Sequence, residues 1–267
     1  LNVHGDCNGA VGVYRLDPTV FGMSYSDLPN KPISFLLLNG ASGDGSDTIT
    51  TPTSGNFKFF ASNNAFVQIN NLTLNSEIYV DDGATIRFES VIINGHIETN
   101  NNSTVLLKNS NLTGTTDNPP LRIKANGHAE VDNTNITGSS NGYDVIWLWN
   151  NGSLMLQGYS IVTAPSGINA ITVQANSSVI VQDDVQINSI DRSGINIERN
   201  SSVELNGNTS ITIGDSSVSS VWIDPTGSLR INGDSININT VSCEGITSHV
   251  QNDGNTSVDI FPTCNGT

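Results

Sequence analysis

Trp147, Trp149 and Trp222 are the three tryptophans of a 267-residue chain. All three fall at outward positions of a short apolar pattern that recurs along it. At the same two outward positions of neighbouring repeats stand Tyr79, Arg122, Lys124, Gln174 and Glu198. An indole left on a surface is costly unless something covers it. Sugar rings stack on aromatic faces, and amides, carboxylates and guanidinium groups bond their hydroxyls. The set therefore suits contact with an extended glycan; a chain segment or a second subunit is the alternative cover. Glu198 and Asp224 occupy equivalent positions in successive repeats, which sets them about 5 Å apart on stacked strands. That is near the carboxylate separation of a retaining glycosidase. They are the candidate catalytic pair, although acidic neighbours also arise by accident in a chain of net charge −15.

Other chemistry is sparse. Asp44 and Asp47, and Asp183 and Asp184, offer hard oxygen donors and are the candidate ligands for a structural calcium ion; no other cofactor is expected. His4, His96, His128 and His249 share no zinc spacing. The sequence contains neither a G-x-S-x-G elbow nor a phosphate loop. Of the three cysteines, Cys243 and Cys264 flank the C-terminal segment and are expected to form a disulfide, with the pairing of Cys7 open. Disulfide chemistry fits an extracellular or cell-surface location better than the cytosol. With only ten basic residues against 25 acidic ones, nucleic acid is not an expected partner. No run of about 20 apolar residues exists to insert in a membrane.

The elements that must position these side chains are strands. Charged residues make up 13% of the chain and Gly numbers 25, a composition that favours short strands and frequent turns over helices. Taking Ile86, Val105, Ala129, Leu154, Val179, Val203 and Leu229 as anchors gives intervals of 19 to 26 residues, the signature of a solenoid. Ahead of each anchor lies a first strand with inward pairs such as Ile78/Val80, Ile146/Leu148 and Val221/Ile223. Behind it lies a third strand, with inward Leu112, Ile136, Ile161, Ile187, Ile211 and Ile236. Turn formers precede the anchors at Gly83, Asn102, Asn126, Asn151, Asn176 and Asn200, where Asn tolerates a left-handed backbone and can bond from repeat to repeat. The expected fold is all-β: a right-handed parallel β-helix of about seven to nine coils of roughly 24 residues, three short strands in each. Residues 1–64 read as an N-terminal cap with irregular first coils, 65–239 as the β-helix, and 240–267 as a C-terminal cap or arm.

In period and turns the chain resembles the right-handed parallel β-helix superfamily of pectin-lyase-like proteins, phage tailspikes and bacterial surface adhesins. In the pectin-lyase-like enzymes, the face of the first strand carries the substrate groove. Arg122-Ile123-Lys124 resembles the R-I-K element of polygalacturonases, yet the N-T-D element that should precede it is absent. The expectation is therefore a secreted, non-enzymatic surface protein. It would act as a fibre or adhesin subunit through head-to-tail or lateral self-association, through contact with an extracellular glycan, or both. The alternative is a polysaccharide-binding or polysaccharide-degrading module, a glycoside hydrolase or lyase, using the tryptophan-bearing face.

Overall fold

The computed structural model describes residues 2–3, 6–8, 14–16, 35–40, 47–50, 59–115, 118–140, 142–233, 235–245, 248–253, 259–260 and 264–266. Among these the secondary structure is entirely β, and no helix occurs. Among the described residues no helix is long and apolar enough to cross a membrane. Every strand pairing is parallel, and strands pair with a counterpart one repeat away rather than with their chain neighbour. One sheet has 12 strands, from Asn2–Val3 to Asn265–Gly266. The remaining strands join in a second ladder that nearly closes on itself. The two long strands Thr73–Val80 and Ile92–Thr99 lie in that ladder and connect its two faces. A Cβ at Gly95, midway along the second of them, would collide with the Ser76 carbonyl. This architecture is that of a β-solenoid and is compatible with a parallel β-helix.

The anchor residues stack in register. Ile86, Val105, Ala129, Leu154, Val179, Val203 and Leu229 are successive partners in the 12-stranded sheet. On the other ladder Ile78, Ile97, Leu121, Ile146, Ile171, Ile195 and Val221 do the same. All fourteen side chains are buried, so alternation along each strand builds a continuous core. Burying one such aliphatic side chain stabilises the fold by about 1.5–3 kcal/mol. Pairing also runs through the N-terminal strands, Phe35–Gly40 against Phe66–Asn70 and Tyr14–Leu16 against Phe59–Ala61. At the other end Ser228–Ile231 pairs with His249–Asn252. A disulfide joins Cys243 to Cys264, with Cα atoms 5.1 Å apart.

The third strand departs from the sequence expectation at two places. Ile136 stacks on Val162, not Ile161, and Ile211 stacks on Ile238, not Ile236. The physical reason for the first is an inserted residue. From Gly158 on, the preceding turn is one residue longer, and Tyr159 is extruded to 73% exposure. Ser160 and Val162, which flank the expected inward Ile161, are both buried. Ile236 stays buried within its turn rather than on a strand.

The turns are held by their backbone conformation and by hydroxyl groups. Asn102, Asn126, Asn151, Asn176 and Asn200 all have φ between 60° and 64°, the left-handed region that Asn tolerates. Asn151 Nδ2 donates to Asn126 Oδ1 at 3.1 Å. Inside the corners lies a second column, of Ser and Thr. The backbone N of Val91 donates to Ser110 Oγ, that of Ser110 to Thr134 Oγ1, and that of Thr134 to Ser160 Oγ. At another corner Gly152 N donates to Ser177 Oγ and Ser177 N to Ser201 Oγ. These hydroxyls satisfy backbone donors that the sheets leave over.

Candidate functional site

The outward face of the first strand positions the candidate residues in two parallel columns. Glu98, Arg122, Trp147, Thr172, Asn196 and Trp222 are consecutive cross-strand partners. Lys124 pairs with Trp149 beside them. Strand alternation turns Ile146 and Leu148 inward and leaves both indoles outside, Trp147 half-buried and Trp149 38% exposed. The two rings stack with centroids 6.3 Å apart and planes 13° from parallel. The Arg122 guanidinium lies 4.5 Å from the centre of Trp147, a cation–π contact that covers part of one indole.

Arg122 and Lys124 converge on Glu98. Lys124 Nζ lies 2.8 Å from Glu98 Oε1 and Arg122 Nη1 3.3 Å from Oε2, with His96 Nε2 at 3.8 Å. Asn100 Nδ2 donates to Oε1 at 2.9 Å. Burial alone would raise the Glu98 pKa. Bonding from His96, Lys124 and Asn100, with the Lys124 charge, outweighs that and lowers it to about 2. His96 is itself buried and its Nδ1 bonds the Pro119 carbonyl. Tyr79 continues the column one step beyond Glu98; it stacks on Phe60 at 5.2 Å, meets His96 edge-on and donates to Glu77.

Toward the other end, a polar relay links the tryptophans. Trp147 Nε1 donates to Gln174 Oε1 at 3.3 Å, and Gln174 Nε2 donates to Glu198 Oε2 at 2.8 Å. Asn196 Nδ2 donates to Glu198 Oε1 at 2.7 Å. Glu198 and Trp222 then line a surface depression of about 370 Å³, together with Asn196 and the loop residues Asn169, Asp191 and Arg192. Asp191 is held in place from the previous repeat. The Gly167 backbone N–H donates to it at 2.6 Å and the Ser166 hydroxyl bonds it, which lowers its pKa. Asp224 is not part of this lining; its Oδ1 accepts from Thr226 N at 3.4 Å in the next turn.

The structure thus places Tyr79, Glu98, Arg122, Trp147 and Trp222 in one outward column with Lys124 and Trp149 paired beside them, and bonds Gln174 and Glu198 between the tryptophans; Asp224 does not line the depression. Sequence reasoning missed Asn196, which shares a column with the tryptophans, and the loop residues Asn169, Asp191 and Arg192. Of the calcium candidates, Asp44 lies outside the described residues. Asp47 is buried and its carbonyl accepts from Thr73 N. Asp183 Oδ2 accepts from Gly158 N, and Asp184 Oδ1 from Asn208 Nδ2. Among the described residues no three His, Cys, Asp or Glu side chains gather to hold a metal. No protein-family model, curated protein or solved structure matches the chain.

Proposed function

We propose that this chain is an extracellular, non-enzymatic surface protein of the adhesin kind, which contacts glycan chains along its first-strand face. In this reading the solenoid is a right-handed parallel β-helix with three short strands per coil. Each strand of the 12-stranded sheet then marks one coil, so the count exceeds seven to nine by taking in strands at both ends. The observation that carries the reading is the continuous row from the stacked Trp147/Trp149 pair through Gln174 and Glu198 to the depression beside Trp222. Indole faces offer stacking platforms, and the amides and carboxylates between them offer hydroxyl partners. The disulfide supports an oxidising compartment. Both Glu198 oxygens are engaged by side-chain amides, an arrangement suited to orienting a ligand rather than to attack on it.

The test is a glycan array probed with the wild type and with Trp149→Ala. Loss of a specific signal in the variant, with an unchanged thermal melt, supports the reading. An array with no specific signal sinks it. Product release from a bound polysaccharide that disappears in Glu198→Gln would replace it with the hydrolase alternative. Electron micrographs of the purified protein test the fibre form separately, since self-association would appear there as filaments.

A further inference from the structure

Among the described residues, two buried side-chain polar atoms have no hydrogen-bond partner: Arg122 Nε and Asn196 Oδ1. Each belongs to a residue in register with a tryptophan, Arg122 with Trp147 and Asn196 with Trp222. Unpaired buried polar atoms are rare and call for an explanation. Here a donor stands at one end of the row and an acceptor at the other. From Trp147 to Trp222 the register takes three strand steps, through Thr172 and Asn196, or about 14 Å at ~4.8 Å per step. Thr172 is buried beneath Asp144. The open path between the indoles therefore runs over Gln174 and Glu198, which are partly exposed.

The charges along this path decide what fits it. Arg122 and Lys124 are committed to Glu98. At the Trp222 end the depression is lined by Glu198 and Asp191, whose carboxylates accept from Gln174, Asn196, Ser166 and Gly167 and keep lone pairs for further donors, against Arg192 as the one cation of the lining. An anionic sugar would bring like charge against these two acids. A neutral pyranose would instead donate its hydroxyls to them and lay its C–H face on an indole. In an extended chain one such sugar advances by about one strand spacing.

Resting on the glycan-contact reading above, we propose that this face selects a neutral, extended glycan of about four sugar residues, lying from Trp149 to Trp222 in the direction of strand stacking, over uronic-acid chains. The experiment is an array of neutral and uronate glycans, followed by calorimetric titration with oligomers of increasing length of the best neutral backbone. Neutral chains should give the signal, and affinity should climb up to the tetramer and then level off. Trp149→Ala and Trp222→Ala should each weaken tetramer binding about tenfold, and Trp222→Phe should restore part of it. Uronate chains binding better than neutral ones, or a dimer binding as tightly as a tetramer, would overturn this proposal and leave glycan contact standing. Silence across the whole array would overturn both. The length series needs no variant, so a misfolded tryptophan mutant would not blur the result.

Discussion

Glu98 shows how much one side chain on this face is asked to hold. Its carboxylate is buried, yet Lys124, Arg122, His96 and Asn100 all point at it. Its pKa falls from 4.5 to about 2 on folding. A depressed folded pKa contributes stability above the unfolded value, and that contribution is lost as pH falls through the folded one. Glu98 should therefore stabilise the fold fully above about pH 4.5 and lose that contribution toward pH 2, a difference on the order of 3 kcal/mol. Glu98→Gln should cost about 2–3 kcal/mol at neutral pH by stranding two cations. Its stability should also change less than that of the wild type between pH 4.5 and 2. Urea unfolding of both proteins at neutral and acid pH measures this, and equal pH slopes would refute it. The same residue explains a limit of the sequence reading. Arg122 and Lys124 stand out as binding residues by alternation, but alternation does not say that both are already spent on an acid one repeat earlier.

At the scale of the element, strand register was legible because the core repeats it. Every anchor that alternation picked out is a true cross-strand partner of the next, and the tryptophan, glutamine and glutamate rows follow from those anchors. The third strand was misread where Ile161 and Val162 are both apolar, so that the pattern gave no sign of the residue extruded at Tyr159. The loop residues Asn169, Asp191 and Arg192 were illegible for a related reason: the loops that carry them vary in length and hold no period. Substitutions check the observed register directly. Val162→Ala should cost about 2 kcal/mol through a buried cavity, whereas Ile161→Thr, at a partly exposed position, should stay within about 0.5 kcal/mol. A costlier Ile161→Thr than Val162→Ala would return the strand to the register read from sequence. The hydroxyl column makes a second demand. Thr134 Oγ1 accepts from Ser110 N and donates to the Asp132 carbonyl. Thr134→Val should strand the Ser110 N–H and cost about 1–3 kcal/mol, and Thr134→Ser should recover most of it; matching melts for Val and Ser variants would deny the column a role.

For the molecule as a whole, stability is built from contacts between neighbouring repeats, as the pairing pattern implies. In such an array each repeat is steadied by the repeats on either side, and opening can be local rather than global. The disulfide acts on this property. Cys243 lies on the Thr240–Cys243 strand, which pairs with Val221–Ile223, and Cys264 adjoins the strand Asn265–Gly266, which pairs with His249–Asn252. The bridge therefore ties the last strand of the 12-stranded sheet to the neighbouring face. A cross-link closing a loop of this length, 21 residues in separation, restricts the open state by about 3 kcal/mol. Because coupling passes from repeat to repeat, that loss should fade within a few repeats rather than reach the centre. In Cys264→Ser, amide exchange should quicken in His249–Asn252 and Thr240–Cys243 and remain unchanged in Thr104–Lys108 and Ser153–Gln157. Hydrogen-exchange mass spectrometry on oxidised wild type and the variant resolves these segments. Uniform quickening along the chain would mean that the solenoid opens as a single cooperative unit, with the bridge stabilising all of it at once.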